Sequence, residues 1–240
     1  MSNAHKYPGE ELALFEKAVN WKRYFAGRIL SYIKGQVFEN GAGIGGTTLL
    51  LNNENVTQWT LGEPDNNMQQ LLQQKINDQL LPANCILHKG TIDSLNAGQL
   101  FDCIIYIDVL EHIENDKAEI EKASAHLEPG GYLVVLSPAF NGLFSPFDKA
   151  IGHYRRYTKK TLSIVAPASL QKEKLYYLDS AGYFASLMNK LFLKQSYPTH
   201  RQVQLWDKWM VPVSKITDRL FGYSFGKSIL AVWKKNTDAS

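Results

Sequence analysis

Residues 36–51, QVFENGAGIGGTTLLL, constrain this chain more than any other stretch. A short apolar run enters a turn with glycines at 41, 43, 45 and 46, and Thr47 and Thr48 then open an apolar helical stretch. Glycine has no Cβ, so the main chain can bend sharply there and a ligand can come close to it. Strand, glycine turn and helix together predict a cofactor cradle at the open end of a sheet.

The rest of the chain is large enough to support one. Its 240 residues, 45% apolar and 20% charged, can bury one core, most simply as a single domain with an insertion or cap. A formal charge of +3 with no Lys/Arg block longer than two residues gives no footprint for nucleic acid, and no such partner is expected. Cys85 and Cys103 lie in apolar runs without the paired spacing of a zinc site, and read as small buried hydrophobes of a reducing compartment. The N-terminal residues lack the basic start and apolar run of a secretory signal, and no long uncharged apolar run follows. The expectation is a soluble, cytoplasmic protein.

The glycines satisfy two patterns. Gly41, Gly43 and Gly46 fit the G-x-G-x-x-G of dinucleotide-binding folds, with Glu63 standing 20 residues past Gly43, where a ribose-binding acid belongs. Gly41, Gly43 and Gly45 equally fit a G-x-G-x-G preceded by Glu39. What lies downstream separates the two.

Leu12, Phe15, Val19, Tyr24, Phe25, Ile29, Leu30 and Ile33 recur at helical spacing, so one or two helices over 10–34 precede the first strand. Strands are predicted at 37–39, 56–61, 85–88, 101–107, 132–136, 172–178 and 228–234. Helices are predicted at 46–51, 68–80 with Asp65 as cap, 116–127 with a stop at Glu128-Pro129-Gly130-Gly131, 179–193, and 206–220 interrupted by Pro212. The near-continuous apolar run 101–107 suits a central parallel strand covered on both faces.

After that strand comes Asp108-Val109-Leu110-Glu111-His112-Ile113, and after the next helix L-E-P-G-G-Y-L-V-V. Taken with Glu39 and the glycine loop, these resemble the motifs of class I S-adenosylmethionine-dependent methyltransferases over residues 24–138. The resemblance implies a three-layer α/β, Rossmann-like fold. The long interval between strands six and seven, more than one crossover helix needs, reads as a helical insertion. The resemblance gives a seven-stranded sheet with strand seven antiparallel between strands five and six, and leading N-terminal helices. It divides a single domain into an N-terminal helical cap (1–34), a cofactor-binding core (35–178), the insertion (179–226) and the last strand and tail (227–240).

The resemblance also implies S-adenosylmethionine as cofactor and S-adenosylhomocysteine as product. Gly41, Ala42 and Gly43 would face the methionine part, whose ammonium Glu39 would orient. Glu63, in a turn fixed by Pro64, would accept the ribose hydroxyls. Thr91 and Ile92 would meet the adenine; Thr91 stands where the family usually has an acid, and Asp93 is a substitute two residues on. Asp108 and Val109 would hold the methionine end from strand four.

Acceptor groups should come from loops beyond strands four and five. His153 is the candidate general base, since its ordinary pKa lies near working pH, with a purely structural histidine as the alternative. Arg156 is grouped with it. Arg155 or Arg156 would suit an acceptor carboxylate or phosphate, or else, with Tyr157, would cap the helix after Thr158. His112 is a pocket wall or a cap, Leu110 and Glu111 the packed start of a helix, and Trp21, Tyr24 and Tyr154 candidate lining of the acceptor site. No metal is expected. The D-x-x-x-G-H-Y-R-R-Y pattern from Asp148 resembles a subgroup of small-molecule methyltransferases.

Tyr183, Phe184, Leu187, Met188, Leu191, Phe192 and Leu193 could form an acceptor pocket, a dimer contact or a membrane-surface face, ordinary core being the favoured use. The expected activity is methyl transfer to oxygen or nitrogen of a small-molecule or lipid-like acceptor, by a monomer or homodimer. The competing readings are a non-catalytic module that holds a partner through the insertion, and a nicotinamide-dependent oxidoreductase, for which no hydride-transfer acid/base set is evident.

Overall fold

The computed structural model describes Phe15 and residues 17–193 and 197–237; the predicted helical positions 10–14 and the side chains of Phe192 and Leu193 lie outside them. Seven strands, β1 Gly35–Asn40, β2 Val56–Glu63, β3 Cys85–Lys89, β4 Phe101–Ile107, β5 Leu127–Pro138, β6 Leu170–Leu178 and β7 Ser228–Lys235, form one sheet in the order β3-β2-β1-β4-β5-β7-β6. β1 to β5 pair in parallel, and β7 runs antiparallel between β5 and β6, with Val135 opposite Ala231 and Tyr177 opposite Ile229.

Alternation along the strands sends side chains to two cores. Val37, Trp59, Cys103, Ile105, Val134 and Val232 share one face with Trp21, Phe25, Leu51 and Val211. Phe38, Ile104, Tyr106, Leu133, Val135 and Trp233 share the other with Ile120, Ala123, Leu162 and Val165. The helices that cover them are α1 Val19–Ile29, α2 Gly46–Leu51, α3 Asn66–Asn77, α4 Asp116–Ala125, α5 Pro146–Ala150, α6 Lys159–Val165, α7 Ser180–Met188, α8 His200–Leu205 and α9 Val211–Leu220. The result is the three-layer α/β arrangement expected of a parallel sheet with crossover helices. Edge strand β6 carries exposed Gln171, Lys172, Glu173 and Lys174, whose charge discourages pairing with another chain. Cys85 and Cys103 are buried free thiols, as their apolar surroundings predicted.

Several boundaries differ from expectation, three of them in ways that matter. Glu128-Pro129-Gly130-Gly131 belongs to β5, not to a helix stop, and the β4 pairing shifts register between Phe101 and Cys103 to admit it. Asp65 does cap α3, accepting the backbone N–H of Asn67 and Met68, but the helix starts at Asn66 and ends at Asn77. Pro212 does not interrupt its helix: a π-turn at Trp206–Met210 joins α8 to α9, and Pro212 sits at the start of α9, where its missing N–H costs least.

The insertion is bolted to the core by buried carboxylates. Ala18, at the cap position of α1, offers no side-chain acceptor, so Asp207 does the capping: its carboxylate accepts the N–H of Trp21 at 2.8 Å and of Asn20 at 3.1 Å. Asp218 accepts the N–H of Asp179 and Ser180, each at 2.8 Å, and the Tyr24 hydroxyl at 2.8 Å. Tyr24 and Trp21 are therefore not mouth residues; both are buried, Trp21 edge-on to Tyr24 and Phe25 and packed on Trp206. Of the residues expected as core, Phe184, Met188 and Leu191 are each more than half exposed while Tyr183 and Leu187 are half-buried, and Trp209, Ile216 and Leu220 are exposed as well. No helix among the described residues is long and apolar enough to cross a membrane.

Candidate active site

The turn after β1 is stitched to the end of β2. The N–H groups of Gly41 and Ala42 both donate to the Gly62 carbonyl, at 2.8 and 3.0 Å, and the N–H of Gly43 donates to Glu63 Oε2 at 2.7 Å. Gly41, Gly43 and Gly45 all have positive φ, and a Cβ on Gly41 would lie 2.6 Å from Val109 Cγ2. Val109, just past β4, thus closes over the turn because Gly41 has no side chain.

Two acids flank this turn. Glu39 is buried, with Oε2 accepting the Thr48 hydroxyl at 2.6 Å and the Trp59 N–H at 2.8 Å. Burial pushes its carboxyl up to about 7, against the pull of those two hydrogen bonds and with repulsion from Glu63. Glu63 is raised for the same first reason, although the N–H groups of Asp65 and Gly43 draw it back. Both are held by neutral donors, so a ligand carrying positive charge would relieve them. That donor chemistry fits S-adenosylmethionine, which brings an ammonium and a sulfonium.

The adenine residues fare differently. Ile92 is buried in the sheet core and donates its N–H to Asn40 Oδ1, so its side chain has no open face for a base; this corrects the expected packing role. The Thr91 hydroxyl accepts the N–H of Asp93, and Asp93 pairs with Lys122 at the surface. Asn40 is itself held by Glu119, which also accepts the Tyr106 hydroxyl, a buried link between β1, β4 and α4 with no signature in sequence.

At the end of β4, Asp108 adopts φ +54°, a left-handed conformation that a residue with a Cβ rarely takes. It is exposed, yet enough protein surrounds it that desolvation pushes its carboxyl up to about 6, partly offset by His153, Lys227 and Arg156. Its carboxyl thus lies among protein groups while solvent still reaches it. Lys227, from just before β7, lies over the Trp206 ring at 4.6 Å, and burial lowers its pKa. Lys227 drew no notice in the sequence, because it stands between the insertion and the last strand.

His153 is brought near Asp108, whose carboxyl it lowers. Its Nδ1 lies 2.9 Å from Asp148 Oδ1, so the aspartate fixes the ring and leaves Nε2 facing Glu111, 3.8 Å from Oε1. The His112 and His153 rings meet edge to face at 4.5 Å. Glu111 is fully buried in the turn Leu110–His112, and its carbonyl accepts the N–H of Tyr154 at 2.9 Å. Tyr154 is half-exposed beside the Arg155 guanidinium.

Both arginines are committed elsewhere. Arg156 is buried and forks onto Asp148, Nε to Oδ1 at 2.8 Å and Nη2 to Oδ2 at 2.9 Å, so it positions Asp148 and leaves only its buried Nη1 without a partner among the described residues. Arg155 donates to the Glu114 carbonyl at 2.7 Å and pairs with Asp116 at 2.6 Å on the outer side of α4. Nor do they cap α6, where Thr158 and Thr161 form their own capping box. Tyr157 instead donates to Asp116 at 2.8 Å.

The model of a family described as a methyltransferase domain matches residues 16–194. The chain belongs to the class I S-adenosylmethionine-dependent methyltransferase family. No curated protein matches this methyltransferase by sequence. Its fold is similar to a S-adenosylmethionine-dependent methyltransferase from Clostridium acetobutylicum, with TM-score 0.60 and 12% identity over 95% of this chain and 98% of that one. Coclaurine N-methyltransferase, solved with N-methylheliamine and S-adenosylhomocysteine, gives TM-score 0.59 and 15% identity over 91% and 72%. The [4+2]-cyclase SpnF gives 0.62 and 13% over 95% and 94%. At such identities the likeness extends to the fold of this methyltransferase alone.

Proposed function

We propose that this methyltransferase binds S-adenosylmethionine over the Gly41–Gly43 turn and transfers its methyl group to an oxygen or nitrogen of an apolar small molecule. The observation that carries the reading is the pair of buried carboxylates, Glu39 and Glu63, raised by burial and flanking a turn that only glycine permits. When bound, the cofactor supplies the methyl group and the leaving thioether. The protein's part is alignment and removal of the acceptor's proton.

His153 suits that second task. Asp148 orients its ring, Arg156 and Ser145 fix Asp148, and the ring stands close enough to Asp108 to lower that carboxyl. Asp108, Val109 and the N–H groups near Gly43 would hold the methionine end, Glu63 the ribose beside exposed Pro64, and the backbone near Thr91 the adenine. The exposed apolar side chains of α7 and α9 favour a lipid-like acceptor. That same face supports a second reading, a non-catalytic module that docks a partner there.

Calorimetric titration with S-adenosylhomocysteine tests the proposal. Micromolar binding that weakens at least tenfold in Glu63→Ala is expected. No heat at millimolar ligand overturns it. Binding without methyl transfer to any hydroxyl or amine acceptor favours the module.

A further inference from the structure

Glu111, His112 and His153 lie outside the cofactor cradle but border it, and their ligand atoms all fall within 4.8 Å of one another. We infer that these three side chains form a binding site for a divalent first-row metal ion at the acceptor rim.

The geometry supports this on three counts. A cation about 2.1 Å from each donor requires donor separations of about 3 to 4 Å. His153 Nε2 and Glu111 Oε1, at 3.8 Å, already meet that, and the widest separation needs to close by under about an ångström. Second, both imidazoles are oriented by hydrogen bonds: Asp148 Oδ1 takes Nδ1 of His153 at 2.9 Å, which leaves its Nε2 for a ligand, and the His112 ring bonds to the backbone of residues 151 and 152. A carboxylate or carbonyl behind a histidine is what orients a metal-ligating ring. Third, the support is itself fixed, because Asp148 is buried, clamped by Arg156 and capped into α5 by Ser145, while the N–H of Tyr154 ties the His153 loop to the Glu111 carbonyl.

Two imidazoles and one carboxylate suit zinc, manganese, iron or cobalt better than calcium, and three protein ligands leave coordination positions open. Asp108, three residues before Glu111 and close enough to His153 to feel its charge, is the neighbour beside which an acceptor would meet the ion. The role of the ion rests on the methyl-transfer reading: an acceptor hydroxyl ligated there loses its proton more readily, leaving its oxygen lone pair to attack the methyl carbon. With the ion bound, His153 Nε2 is a ligand and no longer the base of the metal-free reaction, and the acceptor's proton passes to solvent. Binding of the ion does not depend on that reading. The sequence hid the site because Glu111 and His112 are adjacent while His153 arrives from a separate loop after β5.

The test is titration of the metal-stripped protein with Co(II), followed by its visible absorption, alongside calorimetry with S-adenosylhomocysteine on the same samples. One Co(II) per chain with a d–d band, weakened at least tenfold in both His112→Gln and Glu111→Gln, and displaced by Zn(II), is expected. Retained S-adenosylhomocysteine binding shows that each variant is folded; if Glu111→Gln fails that control, His112→Gln decides. Cofactor product bound without Co(II), or Co(II) bound equally by wild type and His112→Gln, overturns the metal site and leaves the methyltransferase proposal standing. Co(II) bound as expected without S-adenosylhomocysteine supports the site and counts against the cofactor reading.

Discussion

Arg156 and Asp148 form a forked pair in the interior, with Nε to Oδ1 at 2.8 Å and Nη2 to Oδ2 at 2.9 Å. Two parallel charge-assisted bonds fix the carboxylate plane, and that plane fixes the ring of His153. Removing the arginine strands a buried charge. Arg156→Ala is expected to cost about 3 to 5 kcal/mol in urea unfolding, with Arg156→Lys intermediate because an ammonium cannot fork. A double-mutant cycle with Asp148→Asn should show strong coupling; additive effects would contradict the pair.

The same pair sets an acid limit. Burial alone would raise Asp148, but hydrogen bonds from His153 and Arg156 outweigh it and hold the carboxyl well below the usual range. A depressed folded pKa contributes stability above the unfolded value near ~3.9, lost as pH falls toward the folded one. The stability gap between wild type and Asp148→Asn should therefore be constant from pH 7 to about 5 and shrink below about 4.

Glu39 behaves in the opposite sense. Burial raises its carboxyl to about 7, so the folded state holds a proton that the unfolded chain releases near ~4.5. Its contribution is greatest below ~4.5, falls as pH rises to about 7 and is level beyond, a change of about 3 kcal/mol at most. Glu39→Gln should lack this slope, so unfolding of the two proteins between pH 5 and 8 separates it. A cationic ligand should flatten the wild-type curve.

Gly41 is the position where a single methyl group should abolish binding. Its φ of +77° strains any residue with a Cβ, and that Cβ would meet Val109 Cγ2 at 2.6 Å. Gly41→Ala is expected to weaken S-adenosylhomocysteine at least tenfold by calorimetry while the far-ultraviolet spectrum is unchanged. Asp207→Ala, remote from the cradle, should cost about 1 to 2 kcal/mol by uncapping α1 and speed hydrogen exchange at Trp21, with binding retained.

Local patterns made the fold legible. The apolar run of β4, the Asp65 cap and the glycine turn each follow from chemistry contained in a few adjacent residues, and the antiparallel seventh strand followed from family resemblance. The site was less legible because its partners are remote. Tyr24 was misplaced since Asp218, its partner, lies 194 residues away. Arg156 has the chemistry of an anion binder, and only the fold shows that Asp148 occupies it. His153 was singled out from its own loop, whereas its neighbour Glu111 comes from the turn after β4, which only the fold brings beside that loop.

A crystal structure with bound S-adenosylhomocysteine tests the central claim most directly. The amino acid part should lie against Gly41–Gly43, the ribose hydroxyls within hydrogen-bond reach of Glu63, and the sulfur should face the recess between Asp108 and His153, leaving room for an acceptor atom about 3 Å from the transferred carbon. Product bound elsewhere, or a sulfur walled off from that recess by protein, would contradict it.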